Sequence, residues 1–215
     1  MIAIIDYEAG NLTSVQRALD HLGAPCAVTQ DASRIAEAER VIFPGVGAAG
    51  AAMASLKRLG LDEALRQALA DGKPVLGICL GTQVIFEGSE EDGGTDCLGI
   101  LTGRAIRFPT GLADAQGGPL KIPHMGWNRV QWTRPHPVFL GLPAEAEFYF
   151  VHSYHPAPGR PEEVVGLTEY GYPFASALAR SNLAAVQFHP EKSGRPGLKI
   201  LENFLAWDGK EAKPC

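Results

Sequence analysis

Short apolar runs and amphipathic stretches alternate along the first half of the chain. The apolar runs occupy residues 2–6, 24–30, 40–45 and 74–79, each of a length suited to a buried strand. Between residues 11 and 22, leucine and valine side chains recur at the spacing of one helical face, and Gly23 follows where such a helix would end. Strands that alternate with helices predict an α/β fold, with an open, mostly parallel sheet and helices on both faces.

The second half of the chain has a different pattern. Gly, Asp, Pro and Thr are frequent between about 89 and 120, which predicts exposed loops inserted into the domain. Strand-like runs lie at 104–108, 128–132, 147–152, 163–168, 174–179 and 184–188, and a helix is expected at 195–206. Such a succession of strands indicates extra antiparallel strands in this half. We expect one domain over residues 1–207 and a frayed C-terminal tail at 208–215.

Composition and charge exclude several classes of protein. The 215 residues are 46% hydrophobic and 20% charged, with a formal net charge of −5. Without a run of Lys or Arg, the chain offers no electrostatic footprint for nucleic acid or an anionic membrane. No apolar stretch approaches the roughly 20 residues of a membrane span, and the N-terminus lacks a basic leader. We expect a cytoplasmic protein with neither nucleic acid nor membrane as a partner.

The four cysteines, Cys26, Cys79, Cys97 and Cys215, are scattered along the chain. They form no C-x-x-C pair, and no histidine accompanies them at the spacing of zinc ligands. Neither a disulfide framework nor a metal site is predicted, and no sequence feature calls for a cofactor. The pattern fits a reducing compartment.

Cys79 lies between two glycines, where the fourth apolar run meets a helical stretch. In Gly77-Ile-Cys79-Leu-Gly81 the small neighbours allow a sharp turn from strand to helix, which is the geometry of a nucleophile elbow. The amides at the start of that helix would favour a thiolate, and the amide of Leu80 could hold an oxyanion. Because isolated cysteines are often small buried hydrophobes, the motif alone leaves both interpretations open.

A base for this cysteine is available near the C-terminus. In the run AVQFHPE, an apolar strand ends in His189, and Glu191 follows two residues later. In an extended chain these two side chains point to the same side, so Glu191 can orient the ring while its other nitrogen faces a thiol. Taken alone, they would be a strand-end histidine and a surface glutamate. Together with Cys79 they predict a Cys–His–Glu triad.

Three segments taken together resemble the class I, or triad, glutamine amidotransferase family. They are Pro44-Gly-Val-Gly47, Gly77-Ile-Cys-Leu-Gly-Thr-Gln83 and His189-Pro-Glu191, and their order and spacing match over nearly the whole chain. The first segment taken alone would be an ordinary turn. The resemblance implies that glutamine is the substrate and that the thiol attacks its side-chain carboxamide while the histidine shuttles the proton.

The same resemblance assigns the groups around the substrate. It implies that the amides of Val46 and Leu80 form the oxyanion hole. It also implies that Gly47 and Gln83 help to hold glutamine, and that Ser153, in the run FVHSY, contacts it.

Two further runs, DYEAGNL at 6–12 and PHMGWN at 123–128, are similar to the glutaminase subunits of imidazole glycerol phosphate synthases. Glu8 departs from the family pattern, which often has glycine there, but this position lies outside the triad motifs. The resemblance implies a heterodimer with a cyclase subunit, a (β/α)₈ barrel that uses the ammonia to make imidazole glycerol phosphate and AICAR. It places Asn11, Trp127 and Lys192 at the partner interface.

Three other functions remain open at this stage. A freestanding cysteine hydrolase acting on γ-glutamyl compounds would share the elbow and the histidine, but it would not need the PHMGWN run. A glutaminase subunit of another synthase would differ only in its partner. A non-catalytic binding module would be indifferent to replacement of Cys79 by alanine.

Overall fold

A computed structural model describes residues 1–210 of the protein; residues 211–215, which include Cys215 and most of the predicted tail, lie outside the described residues. The strands are β1 (Ile2–Ile5), β2 (Cys26–Thr29), β3 (Arg40–Gly45), β4 (Val75–Cys79), β5 (Gly88–Ser89), β6 (Thr95–Asp96), β7 (Gly103–Arg107), β8 (His124–Arg129), β9 (Gln131–Trp132), β10 (Glu147–His152), β11 (Tyr154–Pro158), β12 (Val164–Glu169), β13 (Pro173–Arg180) and β14 (Leu183–Val186). The helices are α1 (Leu12–His21), α2 (Ala32–Glu37), α3 (Ala49–Leu59), α4 (Leu61–Ala70), α5 (Leu80–Val84) and α6 (Gly194–Ala206).

The main sheet has eight strands in the order β2-β1-β3-β4-β14-β13-β12-β9. The pairs from β2 to β14 are parallel, whereas β13, β12 and β9 continue the sheet in antiparallel fashion. The predicted α/β fold, an open and mostly parallel sheet with antiparallel strands added in the second half, is confirmed.

Helices cover both faces of this sheet. Alternate residues of β1 enter two different apolar clusters, because successive strand side chains point to opposite faces. The cluster that contains Ile4 is covered by α1 and α6, and the cluster that contains Ile5 is covered by α2, α3, α4 and α5. Helix α1 buries the apolar stripe of Val15 and Leu19 against the sheet, whereas α5 is buried along its whole length.

Two smaller sheets lie beside the main one, and here the predictions were partly wrong. The order of one is β11-β7-β5-β6, so the region predicted as inserted loops contains short strands; the other pairs β8 with β10. The run predicted as one strand at 128–132 is divided between β8 and β9, which belong to different sheets. Strand β11 was not predicted, because Pro156 and Pro158 argue against a strand, but β11 is at a sheet edge, where proline is tolerated.

Candidate active site

The predicted nucleophile elbow is present at the junction of β4 and α5. Cys79 ends β4 with φ 54 and ψ −109, a conformation that non-glycine residues rarely adopt, and its side chain is buried. A Cβ at Gly81 would collide with the carbonyl group of Phe43 in the neighbouring strand β3. Glycine is therefore required at this position for the helix to start so close to the sheet.

His189 and Glu191 form a buried pair, as predicted, although the backbone between them differs from the prediction. The Nδ1 atom of His189 lies 2.8 Å from Oε1 of Glu191, and the two side chains are 1% and 0% exposed. The chain does not continue as a strand here, since Pro190–Lys192 forms a 3₁₀ turn. Proline is well suited to the first position of such a turn. The turn places the carboxylate beside the ring.

Asn11 contacts this pair directly. Its Nδ2 atom donates to Oε1 of Glu191 at 2.9 Å, and its own Oδ1 accepts from the Ser14 hydroxyl at 2.8 Å. The residue has φ 75 at the N-terminus of α1, a left-handed conformation that asparagine tolerates better than most residues. Asn11, which was predicted at the partner interface, thus orients the Glu191 carboxylate; its interface role stays a prediction.

The electrostatic surroundings of His189 favour its charged form. Burial lowers the pKa of the ring, but the nearby charge of Cys79 and the hydrogen bond with Glu191 outweigh it and raise the pKa to about 10. Within residues 1–210, no protein group completes a well-formed hydrogen bond with the buried Nε2 of His189. The charged ring thus carries one proton at Nε2 while Glu191 holds the proton at Nδ1.

A cleft of about 360 Å³ opens beside Cys79. Its lining includes every residue predicted for the oxyanion hole and substrate contact: Val46, Gly47, Leu80, Gln83 and Ser153. These residues come from the loops after β3 and β10 and from α5, which directly follows β4. The cleft therefore lies at the carboxyl ends of the parallel strands β3 and β4, where α/β sheets bind their ligands. The individual roles of these residues stay predictions, but the structure brings all of them together.

Glu91 also lines the cleft, and the sequence did not point to it. Its Oε2 atom accepts a hydrogen bond from the amide of Ala49 at 2.7 Å, at the start of α3. Burial raises the pKa of this carboxyl group. Glu91 lies in the run EEDGGTD, which resembles a solvated loop, so only the folded chain shows that one of its carboxylates turns inward.

Gln187 was a second omission. It is fully buried, its Nε2 donates to Sγ of Cys79 at 3.7 Å, and its Oε1 accepts from Nε2 of Gln83 at 3.1 Å. Gln83 in turn donates to the carbonyl of Tyr154 at 2.9 Å. A polar residue among apolar strand neighbours in AVQFHPE was the available signal, because a buried amide needs partners.

The two other residues predicted at an interface lie on one surface next to the triad. Trp127 is 55% exposed, and its ring packs edge-on against Tyr149 with centroids 6.0 Å apart. Lys192 places its ammonium 5.9 Å from the centroid of the same tyrosine ring. The carbonyl of Tyr149 accepts from the amide of His189 at 2.9 Å, so this surface adjoins the backbone of His189.

Over residues 1–210, no group of three or more His, Cys, Asp or Glu side chains is placed to hold a metal ion. Across this same part of the chain, no helix has the length and apolar character needed to cross a bilayer.

A family model, glutamine amidotransferase class-I, matches residues 3–207 of the chain. The protein therefore belongs to the class I glutamine amidotransferase family. It is similar to the imidazole glycerol phosphate synthase subunit HisH of Methylococcus capsulatus, with 54% identity over 210 residues that cover 96% of each chain. It is also 51% identical to the subunit of that name from Pseudomonas putida, over 97% of this chain and 98% of the relative.

Solved structures show the same fold at much lower identity. PurLQS from Thermotoga maritima superposes with a TM-score of 0.73 at 16% identity, covering 95% of this chain and 97% of that one. The glutaminase domain of CTPS from Trypanosoma brucei superposes with a TM-score of 0.61 at 15% identity, over 99% of this chain and 97% of that one. At these identities the similarity concerns the fold alone.

Proposed function

We propose that this chain is the glutaminase subunit of an imidazole glycerol phosphate synthase, which hydrolyses glutamine to glutamate and ammonia. The observation that carries the proposal is the strained Cys79 elbow beside the His189–Glu191 pair, with Cys79 lining a cleft of about 360 Å³. The HisH relatives, similar over their full length, support the assignment to this synthase.

The buried pair supplies what a cysteine nucleophile needs. In the first step the Cys79 thiolate attacks the side-chain carbonyl carbon of glutamine, while His189 holds the proton that the thiol has lost. The ring then gives this proton to the departing nitrogen, and ammonia leaves a thioester. In the second step His189 takes a proton from water, which attacks the thioester and releases glutamate. Glu191 keeps the ring in one orientation throughout.

The cleft lining can hold the rest of the substrate. The amides of Val46 and Leu80 are our candidates for the donors to the oxyanion of each tetrahedral intermediate. Glu91 is the acidic residue of the lining, so we assign it to the α-ammonium group of glutamine. An ammonium group there would favour the charged carboxylate despite burial. Gly47, Gln83 and Ser153 are assigned to further substrate contacts.

We propose that ammonia passes to a cyclase subunit with a (β/α)₈ barrel fold, which makes imidazole glycerol phosphate and AICAR. The exposed surface formed by Trp127, Tyr149 and Lys192 is our candidate docking site, together with Asn11. Its position next to His189 supports this choice, because ammonia that escaped into water would be protonated and lost as a nucleophile. Aromatic residues of this kind are common anchors in protein interfaces.

The proposal also covers the domain boundaries and the cellular location of the protein. The match of the family model to residues 3–207 supports one glutaminase domain over residues 1–207. We also propose a cytoplasmic location, because the scattered cysteines suit a reducing compartment.

The decisive experiment measures glutamate release from glutamine by the purified chain, alone and with a cyclase subunit loaded with its ribonucleotide ligand. We expect release that depends on the partner and that falls on the order of 10⁴-fold in Cys79→Ala, since triad nucleophiles contribute at least this much. Cys97→Ala is the matched control, because burial raises the pKa of that thiol to about 11 and makes it a poor nucleophile.

Three results would contradict the proposal. Strong release by the isolated chain would indicate an independent amidohydrolase. Absence of release in every mixture, or full activity in Cys79→Ala, would indicate that this thiol does not carry the reaction.

A further inference from the structure

Two buried histidines, His124 and His152, lie directly opposite each other on β8 and β10. They are 3% and 5% exposed, and Nδ1 of His124 is 3.0 Å from Nε2 of His152. The ring of His124 also stacks on Tyr170 with centroids 4.0 Å apart. Neither histidine belongs to the triad.

The hydrogen bonds of this pair define which nitrogen carries each proton. Nδ1 of His152 lies 2.8 Å from the carbonyl of Tyr154, which can only accept, so Nδ1 of His152 must be the donor. In a neutral ring its Nε2 is then an acceptor, and Nδ1 of His124 must donate to it. Nε2 of His124 is an acceptor in turn, and the Asn128 amide donates to it at 3.3 Å. Every member therefore has a consistent role when both rings are neutral.

Neutral rings also fit the surroundings. Burial lowers the pKa of His124 to about 4, and burial together with the charge of His124 lowers the pKa of His152. Aromatic rings surround the pair on several sides, among them Phe108, Phe150 and Phe174. A proton on either ring would turn one acceptor into a second donor and break the chain of hydrogen bonds.

This chain of hydrogen bonds ends at the substrate cleft. The Tyr154 carbonyl that accepts from His152 is the one that accepts from Gln83, at 2.9 Å. Both Gln83 and Tyr154 line the cleft beside Cys79, and so does His152. Two donors thus converge on one carbonyl, and His124 fixes the orientation of one of them by donating to Nε2 of His152.

The strand that carries His124 also contributes to the candidate docking surface. Side chains of β8 alternate between two faces, so His124 and Asn128 lie on the inner face while Met125 and Trp127 point outward and are 62% and 55% exposed. A single short strand therefore carries both the outward aromatic residue and the inward histidine.

We propose that His124 and His152 are positioning residues for glutamine binding: as a neutral pair they hold the Tyr154 carbonyl, and through it Gln83, in the geometry that the substrate requires. The proposal rests on the glutaminase function proposed above. The pair acts through Tyr154 and Gln83, which line the cleft, and it forms no hydrogen bond with His189. Loss of the pair therefore raises KM for glutamine and leaves kcat nearly unchanged.

The test uses the complete complex with the ligand-loaded cyclase subunit and compares three variants. His124→Phe keeps the volume and removes the donor, and His124→Asn restores a donor close to the position of Nδ1. His155→Phe is the matched control, because His155 is equally buried in the same aromatic cluster. Its ring forms hydrogen bonds with the Pro156 carbonyl and the Tyr172 hydroxyl and takes no part in the hydrogen-bond chain of His124 and His152. We expect KM to rise about tenfold in His124→Phe, the effect of one buried hydrogen bond, and to stay within about threefold of wild type in the other two.

A second measurement does not depend on any variant. Imidazole ¹⁵N NMR of the wild-type protein at pH 7 should show both rings neutral with the proton on Nδ1. An Nε2-protonated or charged ring at either position would overturn the proposal, as would an unchanged KM in His124→Phe or an equal rise in His155→Phe. A wild-type complex without glutaminase activity would instead overturn the proposed function, and this inference with it.

Discussion

Cys79 has a backbone conformation that the rest of the structure must enforce. A non-glycine residue at φ 54 costs on the order of 1–3 kcal/mol, and such strain persists only where the surroundings leave no alternative. Here β4 is held between β3 and β14, and α5 begins at the next residue. In this conformation the buried thiol also lines the cleft.

Gln187 provides a test of the polar contacts of the thiol. Gln187→Leu removes the donor to Cys79 and the acceptor for Gln83, so we expect kcat/KM of the complex to fall about tenfold. Thr82→Val is the matched control, because it removes an equally buried hydrogen bond, to the carbonyl of Val186 at 2.6 Å, that does not involve the sulfur. An equal loss of kcat/KM in both variants would mean that the loss comes from disturbed packing and not from the contact with the sulfur.

His124 should also affect the dependence of stability on pH. Its pKa is lowered to about 4 in the folded protein but is near 6.5 in the unfolded chain, so the unfolded chain binds more protons between these values. The stabilisation is complete above pH 6.5 and is lost as the pH falls towards 4. We expect the thermal midpoint of His124→Asn to fall less than that of the wild type between pH 7 and pH 4.5, as followed by circular dichroism. Parallel curves would contradict the neutral ring.

The junction of β4 and α5 is the element on which the site depends. Gly81→Ala forces a Cβ onto the carbonyl of Phe43, and we expect a loss of about 1–3 kcal/mol in the free energy of unfolding, measured by urea denaturation. Gly10→Ala is the control, since its Cβ would meet only the Val46 side chain at an ordinary 3.6 Å. A Gly81→Ala protein as stable as the control would show that the two elements can separate without cost.

Whether an element could be predicted depended on whether its determinants are local. The helix expected at 195–206 is α6, and the four early strands are present within a few residues, because apolar periodicity reports burial on a sheet face. Strands β5, β6 and β11 were missed because they are short or contain proline. The partner of β11 also lies far along the chain, since Tyr154 of β11 pairs with Arg107 of β7.

At the scale of the whole molecule, the candidate docking surface can be tested by binding. Trp127→Ala should weaken the complex with the cyclase subunit at least about 30-fold, the effect of losing an aromatic anchor worth about 2 kcal/mol, as measured by isothermal titration calorimetry. Leu140→Ala is the control, because Leu140 is 52% exposed outside this surface. Equal affinities for all three proteins would place the interface elsewhere.

The sequence by itself determined the alternation of strands and helices and the chemical groups of the triad. Both are local properties: apolar spacing specifies which face is buried, and glycines around Cys79 specify a tight turn. Only the tertiary structure decided that Glu91 faces the cleft, that Asn11 holds Glu191, and that His124 meets His152. Asn11 and Glu191 are separated by 180 positions in the chain. Contacts of this kind depend on how the strands are ordered and which faces they share, and no local pattern of residues encodes that arrangement.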